Sequence, residues 1–263
     1  PAALGAPPRV PLVLTVQGAE AALLSKSRLA RWFARPVFRR AAVLTAVTRQ
    51  AGEVVQQVSG RHLATVPVHP LPVDSRGHFW TRGGEGAVLT APLNREGRVG
   101  LALETVAVLA SCGHDLTLTV IGDGPERSAL ERQAQRLGIG ALVRFLGPMP
   151  LDQARAHLAR ADLMLLTARG DGSTGAALEA LITGVPIVAC WDSGAVVELV
   201  PESGSGRLSI PSAEALADCV ISLQSDPARL QMGRLVGEAW RARLAPDHVA
   251  QLCEGWYRDA LGR

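Results

Sequence analysis

Apolar and polar positions change rhythm along the chain near residue 86. From Gly86 onward, short apolar runs alternate with amphipathic stretches. The runs lie at Ala87–Ala91, Leu116–Ile121, Leu142–Leu146, Leu163–Leu166, Pro186–Cys190 and Arg207–Ile210. Helical periodicity falls between them, at Val99–Ala110, Glu126–Leu137, Leu151–Arg160, Gly175–Thr183 and Ala213–Gln224. Strand–helix repetition with short Gly/Pro punctuation predicts an α/β fold built on a doubly wound parallel sheet. Two more helices are predicted at Pro227–Leu244 and Pro246–Leu261.

Residues 1–80 carry the same pattern, but less of it. Val10–Val16, Val43–Val47 and Leu63–Val68 read as strands, and Leu29–Ala41 and Thr48–Ser59 as helices. Two or three strands are too few for a complete doubly wound domain. Pro70–Gly86 is rich in Pro, Gly and charge and reads as a linker. The expected organisation is a partial N-terminal Rossmann-like domain over 1–80 with linker to about 85, and a complete Rossmann-like domain over 86–245. A C-terminal helix over 246–263 would pack back toward the N-terminal part.

Composition sharpens this picture. Of 263 residues 48% are apolar but only 4% aromatic, so the core must be mostly Ala, Leu and Val, which suits helices on a parallel sheet. The net charge of +3 is mild, and the arginines are spread along the chain, which excludes a nucleic-acid-binding arm. Cys112, Cys190, Cys219 and Cys253 are far apart and form no CxxC motif, so free thiols in a reducing compartment are expected. No apolar run reaches the roughly 20 residues that span a bilayer, and no signal peptide is visible. A cytoplasmic location follows as the expectation. The chain opens with Pro1-Ala2-Ala3-Leu4, which reads like the middle of a longer sequence.

The chemistry concentrates between Ala161 and Glu198. An apolar strand, Leu163–Leu166, runs into the polar turn Arg169-Gly170-Asp171-Gly172-Ser173-Thr174-Gly175. In the helix that follows, Ala176–Ile182, every residue except Glu179 is apolar. Such a helix is normally buried, and an ionised carboxylate on it needs a partner. Either Glu179 is hydrogen-bonded to nearby backbone or an arginine, or it is held for a ligand hydroxyl pair such as a ribose. Ser173 or Thr174 would cap the helix, and Gly175 would let a ligand approach its backbone. Free N–H groups at a helix N-terminus bind phosphates. A phosphate site beside a hydroxyl acceptor suits a nucleotide sugar. Gly122-Asp123-Gly124 is not a dinucleotide fingerprint, because Asp123 and Glu126 would repel a pyrophosphate and no third glycine follows. Asp123 as N-cap and Pro125 at the first helical position make an ordinary helix start.

Asp171 and Glu179, separated by seven residues, resemble the Glu-x7-Glu pair of glycosyltransferase family 4, which has the GT-B fold. Ala180–Ala189, Ile121–Arg127, Val143–Gly147 and Gly194–Glu198 are similar to further segments of that family, in the same order. The resemblance covers roughly residues 10–245. It implies a retaining glycosyltransferase that moves a sugar from a nucleotide-sugar donor to a hydroxyl acceptor, a glycan or a lipid-linked one. It implies that Glu179 holds the donor ribose and Asp171 the sugar hydroxyls. The amides of Ser173, Thr174 and Gly175 would face sugar or phosphate, and Leu146-Gly147-Pro148 the base. Neither metal nor cofactor is implied, and no Asp-x-Asp motif is present.

Three departures from the family pattern stand out. The Arg and Lys that neutralise the donor diphosphate fall on Pro92 and Gly97, which leaves Arg95 or Arg98 to reach in from nearby. The family's loop histidine near the reacting sugar is Gln17, which can hydrogen-bond but cannot act as acid or base. The first acid of the pair is Asp171 rather than Glu. The strands and glycine-rich loop that open the family's acceptor domain are not in this sequence, so a fragment or a reduced protein is expected. A non-catalytic glycosyltransferase-like binding or assembly protein is the competing reading, and a sugar-nucleotide epimerase a third.

Ser27–Ala41 carries Arg28, Arg31, Arg35 and Arg39 at helical spacing, with Leu29, Trp32, Phe33 and Val37 on another face. The plainer expectation puts that apolar stripe on the core and the arginines in water. The alternative is peripheral contact with the anionic inner face of a membrane. Pro36 is expected to limit the continuity of this helix.

Overall fold

The computed structural model describes residues 10–60, 77, 79–80, 83–204 and 206–262. The chain forms two compact units: residues 1–74 with 243–263, and residues 75–242. The expected strand Leu63–Val68 lies outside the described residues.

In the first unit, β1 (Val13–Val16) and β2 (Val43–Ala46) pair in parallel, Val13 opposite Val43. Helices α1 (Gly18–Lys26) and α2 (Arg28–Arg40) connect them, and α3 (Arg49–Ser59) follows. Val16, Leu24, Phe38, Leu44, Val55 and Val58 form the core. Ser27 caps α2 by accepting from the Ala30 amide at 3.1 Å, and Thr48 caps α3 through the Ala51 amide at 3.1 Å. Three details differ from the sequence reading. α1 is not among the expected elements. α2 runs unbroken through Pro36, which is exposed, so the carbonyl that loses its amide partner lies where water can serve it. The stripe assigned to the core is divided: Ala30, Ala34 and Phe38 pack inward, whereas Leu29, Trp32 and Phe33 face solvent.

The second unit holds a parallel sheet of β3 (Ala87–Thr90), β4 (Leu118–Ile121), β5 (Val143–Gly147), β6 (Leu163–Leu166), β7 (Ile187–Cys190) and β8 (Gly206–Ser209). Its order is β5-β4-β3-β6-β7-β8. The central strands are buried on both faces, which explains their continuous apolar runs. Leu89, Leu165 and Val188 pack under α4 (Val99–Ser111), α5 (Arg127–Arg136) and α9 (Ala213–Gln224). The helices α6 (Leu151–Arg160), α7 (Thr174–Thr183) and α8 (Val196–Ser203) pack in sequence against one another. α10 (Arg229–Leu244) crosses α7 closely: at Gly184, φ +91°, an added Cβ would come within 2.6 Å of the Gly233 carbonyl. α11 (Pro246–Ala260) packs on β1 and β2 in the first unit.

The start of α5 departs from expectation. Glu126, not Asp123, is its N-cap, and no side chain caps it. Asp123 instead accepts from the Gly124 amide at 2.8 Å, and its carbonyl takes the Leu93 amide at 3.0 Å. Its backbone is tied to the loop after β3, and its carboxylate lies 4.0 Å from the Arg127 guanidinium of α5.

Candidate functional site

Strand order reverses between β3 and β6. In an open parallel sheet, the loops leaving the two strands at such a point diverge and open a crevice beyond their carboxyl ends. Here those loops are residues 91–98 and 167–173. Backbone contacts tie them together: the Arg169 amide donates to the Glu96 carbonyl at 2.8 Å, and the Thr167 hydroxyl to the Gly97 carbonyl at 3.2 Å. The loop after β7 joins through Gly170, whose amide donates to the Asp192 carbonyl at 2.8 Å, and through Ser193, whose hydroxyl donates to the Ala168 carbonyl at 2.7 Å. On the other side, the Gly122 amide donates to the Gly147 carbonyl at 3.0 Å. Gly122 has φ +137°, and any Cβ there would run into the Ala91 carbonyl, so only glycine lets these backbones meet.

The polar turn after β6 is a short 3-10 helix, Gly170–Ser173, feeding α7. Ser173 is the N-cap residue, as expected, but its side chain makes no capping bond. The Ser173 and Thr174 hydroxyls are both buried and lack a hydrogen-bond partner. A buried hydroxyl without a partner costs about 1–3 kcal/mol, so two in adjacent residues at a helix N-terminus mark a place built for something polar. Gly175 is exposed, and nothing lies within 4 Å of where its Cβ would be. The Asp171 side chain lies outside the described residues.

Glu179, one turn further, is engaged by Arg155 of α6. The Arg155 Nε donates to one carboxylate oxygen at 2.6 Å and Nη2 to the other at 3.2 Å. Both side chains are largely buried, 10% and 14% exposed. The arginine-paired alternative is therefore realised. Fork-on-carboxylate geometry leaves the outer lone pairs free to accept further hydrogen bonds. Arg155 was not anticipated, because a charge on an Ala-rich helix reads as surface. Its position beside Ala154 and one turn before Leu158, on the buried stripe, was the available signal.

Arg98 and Arg95 flank the same crevice. Arg98 stands at the N-cap of α4 with φ +44°, the one non-glycine residue of positive φ among those described. Its guanidinium grips Asp192 at 2.6 and 2.9 Å, and its Nε donates to the Thr167 carbonyl at 2.6 Å. The reach toward a diphosphate expected of Arg98 is thus largely taken up by Asp192. Arg95 is exposed on the turn between β3 and α4. Cys190, at the end of β7, has its thiol pushed up to about 11 by burial, against a smaller opposing pull from Arg98. Leu146 and Pro148 are exposed at the end of β5, with Gly147 buried between them. Gln17 belongs to the other unit, where it is exposed at the N-cap of α1. Among the described residues no cluster of His, Cys, Asp and Glu could hold a metal ion, and no helix is long and apolar enough to cross a membrane.

Residues 87–226 match the family described as "Glycosyl transferases group 1". The chain is 28% identical over 250 residues to a 2-deoxystreptamine glucosyltransferase of Streptomyces kanamyceticus, covering 89% of this chain and 63% of that protein. It is 28% identical over 238 residues to a GDP-mannose-dependent alpha-(1-6)-phosphatidylinositol dimannoside mannosyltransferase of Mycobacterium tuberculosis, covering 81% of this chain and 61% of that one. The chain thus spans less than two thirds of the length of these relatives. Among solved structures, Anabaena Alr3699/HepE in complex with UDP superposes with a TM-score of 0.79 at 20% identity, over 94% of this chain and 72% of that one. That likeness is one of fold.

Proposed function

Because the chain belongs to the group 1 glycosyl transferases, we propose that its second unit binds a nucleotide-sugar donor at the β3/β6 crevice. The protein would transfer the sugar, with retention of configuration, to a hydroxyl of a glycan or lipid-linked acceptor. The observation that carries this reading is the pair of buried, unpartnered hydroxyls of Ser173 and Thr174 at the N-terminus of α7. At that helix start they would supply donors for a diphosphate or sugar oxygen. Glu179, oriented by Arg155, would accept from the ribose hydroxyls. Leu146, Gly147 and Pro148 would meet the base, and Asp171 the sugar. Arg95 and the uncommitted N–H groups of Arg98 would neutralise phosphate charge. Gln17 is given its place near the reacting sugar on the family resemblance alone. The S. kanamyceticus and M. tuberculosis relatives are named as glucosyl and mannosyl transferases, which supports a hexose donor.

The test is a thermal-shift and turnover panel of UDP- and GDP-sugars on the full chain, with Thr174→Val beside it. A donor at 100 times its Kd should stabilise by about 2.7 kcal/mol. Thr174→Val should leave unliganded stability unchanged or slightly raised and should reduce the donor-induced shift. The reading fails if no nucleotide sugar shifts the melting point, or if the variant retains the full shift.

A binding or assembly protein without turnover is the second reading. Arg98 favours it, since its guanidinium is engaged by Asp192 where Pro92 and Gly97 offer no replacement charge. Donor binding without transfer or donor hydrolysis would support that reading, and measurable transfer would exclude it.

A further inference from the structure

The first unit carries a second feature, unrelated to the donor crevice. Between α2 and α3 lies a cleft of roughly 420 Å³ lined by Arg28, Arg31, Trp32, Arg35, Gln57 and Val58. Arg28, Arg31 and Arg35 succeed one another on one side of α2. No carboxylate pairs with any of the three among the described residues. The Arg31 Nε is buried without a hydrogen-bond partner. The Arg35 guanidinium rests over Gly60, which ends α3, 3.4 Å from where a Cβ would be. Three like charges converging without counter-charge repel one another, and that arrangement is relieved by a bound anion with several acceptor oxygens.

The rim of the cleft is apolar. Trp32 is 69% exposed, Leu29 66% and Phe33 60%, and the two aromatic rings meet edge to face with centroids 4.8 Å apart. A soluble phosphate would make no use of three exposed large apolar side chains. A lipid would use both parts, its headgroup in the arginines and its glycerol and upper acyl region against Leu29, Trp32 and Phe33. We propose that this cleft seats the phosphate headgroup of an anionic membrane lipid and holds the first unit on the membrane surface.

The experiment is co-sedimentation of the full chain with vesicles of phosphatidylcholine, alone or with added phosphatidylglycerol, at fixed salt. Binding is expected to the anionic vesicles only. Arg31→Gln and Arg28→Gln should each weaken it by about tenfold or more, since each removes a charge-assisted bond to the headgroup. Arg39→Gln removes the same charge from the same helix outside the cleft and should cost no more than about fivefold. Trp32→Ser should weaken binding with the charge unchanged. Arg28 is exposed, so its variant carries the test if Arg31→Gln alters the helical circular dichroism. Equal losses for the Arg28 and Arg39 variants would reduce the effect to diffuse surface charge and overturn the proposal. So would a melting-point shift with inorganic phosphate in a protein that binds no vesicle, which would assign the cleft to a soluble anion.

Discussion

Replacing Arg155 with methionine isolates what the Arg155–Glu179 pair contributes. Methionine keeps much of the stem's volume and removes the charge. Glu179 then faces a site where its side chain is only 14% exposed, without the hydrogen bonds at 2.6 and 3.2 Å. Removing one partner of a buried pair costs about 3–5 kcal/mol, whereas exposed pairs are worth about 0.2–1 kcal/mol. Since neither group is wholly sealed from water, the lower end applies, about 3 kcal/mol. In a domain of this size that lowers the melting temperature by roughly 6–12 °C. Amide exchange in α6 and α7, read by mass spectrometry on the full chain, should accelerate about 10²-fold. Arg155 also has contacts besides Glu179, and a second variant separates them. Arg155→Met with Glu179→Leu should recover most of the loss, because a well-packed apolar pair is often as stable as a buried ionic one. A single-variant cost below about 1 kcal/mol, or a double variant no better than the single, would refute the pair as what holds α6 to α7.

Three further outcomes can be checked directly. Gly184→Ala should cost about 2–4 kcal/mol in chemical denaturation, since it adds left-handed backbone strain to a Cβ driven against the Gly233 carbonyl 2.6 Å away. Among the cysteines, exposed Cys112 should react with a thiol reagent at pH 8 and buried Cys190 should not. Its thiol ionises near 9.0 when unfolded and near 11 when folded. Stability from keeping it neutral is therefore complete below pH 9 and lost as pH rises toward 11, a slope that Cys190→Ala should flatten.

Most of the second unit was legible because its strands are short apolar runs bounded by turn residues. Leu163–Leu166, Leu151–Arg160 and Ala213–Gln224 have the same limits in sequence and structure. α8 is not among the expected elements: it is eight residues long and contains Pro201. α1 was missed because Gly18–Lys26 has no pronounced apolar stripe to set it apart from a loop. The outward tilt of Leu29, Trp32 and Phe33 was hidden because α2 has apolar residues on both sides, and only packing reveals that Phe38 and the alanines fill the core. At the candidate site, the turn before α7 and the suspicion about Glu179 were legible from one helix. Arg155 and Asp192 were not, since each reaches its partner across the fold.

The pairing of β3 with β6 also governs when this protein can acquire its crevice. Ala87 and Val88 must find Leu163 and Met164 across the whole length of α4, β4, α5, β5 and α6. Joining positions so distant costs chain entropy before any contact rewards it, and such pairings form slowly. On a ribosome, β3, β4 and β5 can emerge and associate while β6 is still being made. The pocket mouth does not exist until synthesis has passed α7. A ligand of that crevice can therefore stabilise the unit only after β6 and α7 have joined it, and cannot guide its early assembly.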